Sequence, residues 1–195
     1  MQPLILTAAS EGYFEPNLIP FVASLRDVAG YTGPLGVLDY GLSRHQVRRL
    51  RAQDIQVLAP ARRYRTVVVD RFFTAARLAA RRADTLVACY DADIWFNETI
   101  DEVFTLYRRA KVMCVKDNYS FTFLYECLTP GEGAAVRAAE LEGLLARVEE
   151  AFGQVLQAGF LCADHAGWRR YVDSLEGLLD EGYLQDAYGA DATAL

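Results

Sequence analysis

The first half of this sequence alternates short apolar runs with segments patterned for helix. Runs at 3–8, 35–40, 55–58, 86–90 and 112–115 read as strands. Between the first two, Leu18, Phe21, Val22, Leu25 and Val28 recur at helical spacing, with Pro16 near the first helical position. Ser43 and Gln46 form the pattern of a capping box that opens a helix through Leu50. A further helix falls between Thr66 and Arg82, with a β-branched start at Val67, Val68 and Val69. Thr99 and Glu102 form a second capping box, opening a helix to about Arg108. Strands alternating with helices build βαβ units, so the expected class is α/β: a mostly parallel central sheet flanked by helices.

The second half changes character. Residues 131–152 form a long helical stretch rich in Ala, Leu and Glu, and 155–163 is strand-like. Asp164 is placed to cap a helix carrying Trp168, Tyr171, Val172, Leu175 and Leu178. With 195 residues, the chain fits a single domain over 1–195. A net charge of −6 argues against general nucleic-acid binding, though a phosphate ligand can still be neutralised locally by metal and arginine. The N-terminus has no basic leader, and no apolar run reaches the length of a transmembrane helix. Cys89, Cys114, Cys127 and Cys162 are widely spaced and read as small buried hydrophobes in a reducing compartment, so a cytoplasmic location is expected.

Within this frame, Asp91-Ala92-Asp93 carries the chemistry. It follows the apolar run 85–90 and precedes Ile94-Trp95-Phe96. In extended backbone the two aspartates project to one side. Two carboxylates together at a strand exit repel unless a cation lies between them, and Mg²⁺ or Mn²⁺ takes such oxygen ligands together with substrate phosphates. Ligands of open parallel sheets bind outside the carboxyl ends of the strands, where this motif lies. No G-x-G-x-x-G and no Walker lysine loop follows any strand, which sets aside the dinucleotide and P-loop readings.

Four segments together resemble the GT-A-fold nucleotide-sugar glycosyltransferases, family 8-like members above all. Residues 6–13 (Leu-Thr-Ala-Ala-Ser-Glu-Gly-Tyr) look like that family's first strand and nucleotide-contacting loop. Residues 37–43 look like its second strand and turn, and 88–93 match its metal motif. Gln157-Ala158-Gly159-Phe160 with the downstream Trp168 looks like its Asn-Ala-Gly strand and tryptophan. The resemblance implies a GT-A (nucleotide-diphospho-sugar transferase) fold. It implies a nucleotide-sugar donor, with UDP favoured, a sugar or glycan acceptor, and Mn²⁺ or Mg²⁺ as cofactor. Thr7, Ala8 and Ala9 would border the base and ribose, and Tyr13 would stack on the base or sit as a surface aromatic at a helix entrance. Asp39 would approach the uracil or ribose, or else form the turn before Gly41. Arg77 would face the donor, or be a solvated charge like Arg71, Arg81 and Arg82 on the same helix. Asp91 would contact ribose and metal, Ala92 the donor, Asp93 metal and diphosphate. Gln157, Ala158 and Gly159 would border the donor.

The sequence also departs from that pattern. The family's late metal-ligating histidine is matched by neither His45 nor His165, and its Asn-Ala-Gly begins with Gln157 here. Residues 188–195 resemble the family's Asp-Gln-x-x-Leu region, giving Asp191 as the catalytic candidate, with Ala192 where glutamine would stand. The chain ends where an acceptor-binding tail would begin. A fragment, or a degenerate nucleotide-sugar-binding module without turnover, is therefore the alternative expectation. A haloacid-dehalogenase-type phosphatase is disfavoured because its D-x-D follows the first core strand, not the fourth. A nucleotidyltransferase is disfavoured by the lack of a glycine-rich loop after the first strand.

Overall fold

A computed structural model describes residues 3–82, 84–107, 109, 111–116, 134–153 and 156–184. Six strands form one sheet: β1 (Leu4–Ala9), β2 (Leu35–Asp39), β3 (Gln56–Leu58), β4 (Val87–Tyr90), β5 (Val112–Lys116) and β6 (Leu156–Ala163). Their order across the sheet is β3-β2-β1-β4-β6-β5. β1 pairs in parallel with β2 and β4, and β2 with β3, whereas β6 runs antiparallel to both β4 and β5. The sheet is thus mostly parallel, as expected for an α/β chain. The chain winds outward from β1 to β3, then returns to place β4 on the other side of β1. That reversal opens a crevice at the carboxyl ends of β1 and β4.

Both faces of the sheet are covered. All six residues of β1 are buried, so this strand reads as a continuous apolar run rather than an alternating one. Leu4 and Leu6 join one core with Phe72, Ala75, Leu161 and Trp168, under the helices α3 (Val67–Ala80) and α6 (His165–Asp180). Ile5 and Ala9 join the opposite core with Phe14, Phe21, Val37, Leu50 and Phe160, under α1 (11–28), α2 (Arg44–Arg51) and α4 (Asp101–Thr105). A further helix, α5 (Ala134–Phe152), adds Leu145 to the first core. Trp168 is fully buried and its indole N–H donates to the Val87 carbonyl at 2.9 Å, tying α6 to the centre of the sheet. Cys89 and Cys162 are buried and Cys114 is half-buried, all three as free thiols, and burial pushes the Cys162 thiol up to about 12.

Local signals explain most boundaries. The Ser43–Gln46 capping box forms in both directions, at 3.3 and 2.9 Å. Asp164 caps α6 by accepting from the Gly167 N–H at 2.9 Å. At Gly167 an added Cβ would lie 2.4 Å from the Lys111 carbonyl, so glycine lets α6 approach β5.

Two expectations are corrected, and a third, the helix between Thr66 and Arg82, forms as expected. The first helix begins at Glu11, five residues before Pro16, and takes up Pro16 in a π-turn over Phe14–Leu18; a second π-turn spans Ser24–Val28. A helix-interior proline removes an i→i−4 hydrogen bond, and the wider turn takes up the loss: the Ile19 N–H donates to Phe14 O, five residues back. The Thr99 capping box does not form; Ile100 occupies the cap without a side-chain hydrogen bond, and α4 is a single short turn of helix. The β-branched start of α3 is helical, as expected, and Asp70 organises the segment ahead of it. That fully buried carboxylate accepts from the backbone N–H of Arg62, Arg63 and Tyr64 at 2.9, 2.6 and 3.1 Å, and from the Tyr40 hydroxyl at 2.7 Å. Burial, and then the bond to Asp70, raise the Tyr40 phenol well above its ordinary range.

Candidate functional site

The crevice at the switch point is a real cleft, lined by Ala8, Ala9 and Ser10 from the end of β1, Tyr13 from α1, Val67, Val68 and Arg71 from α3, and Asp91, Ala92 and Asp93 beyond β4. The sequence places each wall for a separate reason. The β1 and β4 ends meet here because they are parallel neighbours, with Leu4 opposite Val87 and Leu6 opposite Cys89. The entrance of α3 is aimed here by the segment that Asp70 holds. Tyr13 is half exposed at the rim.

The two aspartates share the cleft, but not by strand alternation. β4 ends at Tyr90, and residues 91–94 turn, with the Ile94 N–H donating to Asp91 O at 3.3 Å. Asp91 is half-buried, Ala92 buried and Asp93 exposed. Asp91 is fixed at both ends. Its N–H donates to Gly159 O at 2.8 Å, extending the β4–β6 ladder, and its Oδ1 accepts from Arg71. The Arg71 guanidinium is almost fully buried, lies 4.5 Å over the Phe72 ring and also donates to Ala158 O at 3.3 Å. One arginine therefore joins α3, the β4 exit and β6.

Gln157, Ala158 and Gly159 are brought to the same place by an irregularity in β6. Along β5, Cys114 pairs with Leu161 while the next residue, Val115, pairs with Gln157, so residues 158–160 step away from β5 toward the end of β4. A Cβ at Gly159 would lie 3.0 Å from Asp91 Oδ2 and 3.4 Å from Gln157 Cδ and Oε1, so these two polar side chains converge over the glycine. Any side chain there would press on the Asp91 carboxylate.

Other expected site residues lie elsewhere. Thr7 is fully buried beneath the cleft floor and does not line it. Asp39 is a turn-former, its Oδ1 accepting from the N–H of Gly41 and Leu42 at 2.9 and 2.7 Å. Arg77 is exposed on the far side of α3 and donates to Ala59 O at 2.9 Å, so it does not reach the cleft. Arg71, read from the sequence as a solvated charge, takes the inner position. A signal for it existed: Arg71 falls on the stripe Val68, Phe72, Ala75 and Ala79 that faces the core, whereas Arg77 does not. His45 is exposed on α2 and His165 starts α6. Asp191 and Ala192 lie outside the described residues, as does Cys127.

The carboxylates of Asp91 and Asp93 are hard oxygen donors, suited in chemistry to Mg²⁺ or Mn²⁺ with phosphate and water completing the shell. Among the described residues no third histidine, cysteine, aspartate or glutamate joins them. Asp91 offers Oδ2, since Oδ1 is engaged by Arg71.

No protein-family model and no curated protein matches the chain. Solved structures do. It is similar to the galactosyltransferase LgtC in complex with donor and acceptor sugar analogues, at 14% identity and a TM-score of 0.60, covering 97% of this chain and 68% of that one. This chain has the GT-A glycosyltransferase fold. It is similar also to the bifunctional glycosyltransferase WbbM (12% identity, TM-score 0.65) and to the glycosyltransferase GlyE of Streptococcus pneumoniae (12%, 0.61). The match covers 99% and 100% of this chain but only 37% and 42% of those two. Among the described residues, no helix is long and apolar enough to cross a membrane.

Proposed function

We propose that this chain is a glycosyltransferase that takes a sugar from a nucleotide-sugar donor, with UDP as the nucleotide, and passes it to a sugar or glycan acceptor. The observation that carries this reading is the convergence of Asp91, Asp93, Gln157 and Gly159 at the switch-point end of a GT-A sheet. Ala8, Ala9 and Tyr13 form the opposite wall, where a flat base and its ribose would lie. Asp91 and Asp93 would hold Mn²⁺ or Mg²⁺, and a bound divalent cation supplies Lewis-acid stabilisation to a diphosphate leaving group. Arg71 fixes the orientation of Asp91, leaving Oδ2 directed toward the cleft side of Gly159. It is a positioning residue: one terminal nitrogen donates to Asp91 and the other to Ala158 O.

Thermal melting with UDP, with and without Mn²⁺, tests the reading. A ligand at 100 times its Kd adds about 2.7 kcal/mol to stability. The UDP shift should require Mn²⁺ and vanish in Asp93→Asn, while the ligand-free variant melts at or above wild type because one of two neighbouring like charges is gone. An equal UDP shift in EDTA, or an unfolded variant, would defeat it. The second reading, a donor-binding module without turnover, is favoured by Arg71 already compensating Asp91. UDP release from UDP-sugars with Mn²⁺, with and without sugar acceptors, separates the two.

A further inference from the structure

The basic residues of this acidic chain are concentrated around one edge of the sheet. Residues 44–82 hold eleven arginines against only Asp54 and Asp70, so the rest of the chain is far more acidic than the net charge of −6 indicates. Asp70 is buried and saturated by hydrogen bonds, as described above, and contributes little at the surface. Arg44, Arg48 and Arg51 follow one another at i, i+4 and i+7 along the exposed side of α2. They line a shallow groove that continues past the edge strand β3 to Arg62, over an apolar floor of Leu42, Val47, Val57 and Leu58. The acid in this groove is Asp39, whose carboxylate is occupied by Gly41 and Leu42. None of these four guanidinium groups has an ion-pair partner among the described residues. The band does not stop there. Arg77 reaches the end of β3 through Ala59, and Arg81 follows four residues on, just past the end of α3, both exposed. Because α2 and α3 cover opposite faces of the sheet, the arginines wrap β3 from both sides.

We infer that this band docks the protein against an anionic membrane surface. A basic edge on an otherwise acidic molecule presents one side to a plane of negative headgroups and keeps its acidic remainder away from it. Clusters of four to eight basic side chains are what such a surface attracts, and the attraction decays within a Debye length. The apolar floor between the arginines suits the interfacial zone beneath the headgroups. A nucleic acid fits less well. The rest of the chain is acidic, and the ring of Tyr64, in the same stretch, is turned inward against Phe73 rather than outward for stacking. A second copy meeting the band with its acidic side would make a head-to-tail contact with no closure. The inference is independent of what the cleft binds.

Cosedimentation with vesicles tests it, with neither nucleotide nor metal present. The wild type should bind vesicles of equal parts phosphatidylcholine and phosphatidylglycerol, not phosphatidylcholine alone, and release as salt is raised. R44Q/R48Q/R51Q/R62Q should keep its wild-type melting temperature and bind the anionic vesicles at least about 100-fold more weakly, each arginine being worth about fivefold near such a surface. Equal binding to both vesicle types overturns the inference, and so does unchanged binding by the variant. So would capture of duplex DNA without vesicle binding, or salt-sensitive self-association of the wild type in its place. R77Q/R81Q is a second variant, expected to weaken vesicle binding by a smaller factor and to do so even if the first fails to fold.

Discussion

Arg71 and the β3-edge arginines are the same side chain put to opposite uses. Arg71 is almost fully buried, lies over Phe72 and bridges Asp91 to the β6 backbone. The edge arginines stand in water, and those of the groove have no ion-pair partners among the described residues. A buried guanidinium is tolerated only when its donors are matched, and once matched it fixes geometry. An exposed one fixes nothing locally but adds to a field that extends about 8–10 Å at physiological salt. Arg71 and Arg77 make the contrast on a single helix, six residues apart. What separates them is the face of α3 each occupies.

The largest effect should follow from removing the buried member. Arg71→Met keeps an apolar stem over Phe72 but loses the charged hydrogen bonds to Asp91 and Ala158. Hydrogen bonds to charged groups are worth about 1.5–3 kcal/mol each. Because Asp91 is partly hydrated, a total loss of about 2 kcal/mol is expected in urea unfolding. Arg77→Met should stay within about 0.5 kcal/mol of wild type, as surface changes do. Mn²⁺ alone should bind Arg71→Met several-fold more tightly, since the competing cation is gone. If both variants lose the same stability, the distinction between the two arginines does not hold.

Patterns that act over a few residues were legible in the sequence. The Ser43–Gln46 box, the Asp164 cap and the succession of strands β1 to β4 along the chain follow from spacing and side-chain chemistry alone, and the placement of Asp91 and Asp93 at one cleft follows from the strand that precedes them. The geometry of that motif was not legible, because a strand exit and a turn share the same composition. The antiparallel insertion of β6 between β4 and β5 was not legible either, since strand direction is set by a long connection rather than by the strand's own residues. Arg71 was missed for a different reason: an arginine beside other arginines reads as solvated until its partner, twenty residues away in sequence, is known to face it.

A smaller effect on stability, with a clear effect on binding, is expected at Gly159. Its backbone is not in the left-handed region, so the consequence of Gly159→Ala is one of space alone. The new Cβ would meet Asp91 Oδ2 at 3.0 Å, and Asp91 cannot retreat while Arg71 holds it. Gln157 is exposed and can move aside. Overpacking of this kind costs about 1 kcal/mol when one neighbour yields. UDP affinity in the presence of Mn²⁺ should fall about tenfold, equivalent to ~1.4 kcal/mol. In Arg71→Met the carboxylate is released, so the added methyl group should cost less there. Strict additivity in a double-mutant cycle would show that Arg71 does not hold Asp91 in place.

The smallest effect belongs to an exposed arginine that does have a partner. Arg63 pairs with Glu176 on α6 and lies 5.4 Å over the Phe73 ring, yet its side chain is 54% exposed. On geometry it resembles Arg71, with a carboxylate and an aromatic ring. On solvent access it belongs with the edge arginines. Exposed ion pairs contribute about 0–1 kcal/mol, because water screens the charges and two long side chains must be held still. Arg63→Gln should therefore cost about 0.5 kcal/mol in urea unfolding, a loss that shrinks as salt is raised. A loss matching that of Arg71→Met would mean that partner geometry, rather than burial, decides what an arginine does in this fold. A loss near zero at high salt would place the dividing line at solvent access.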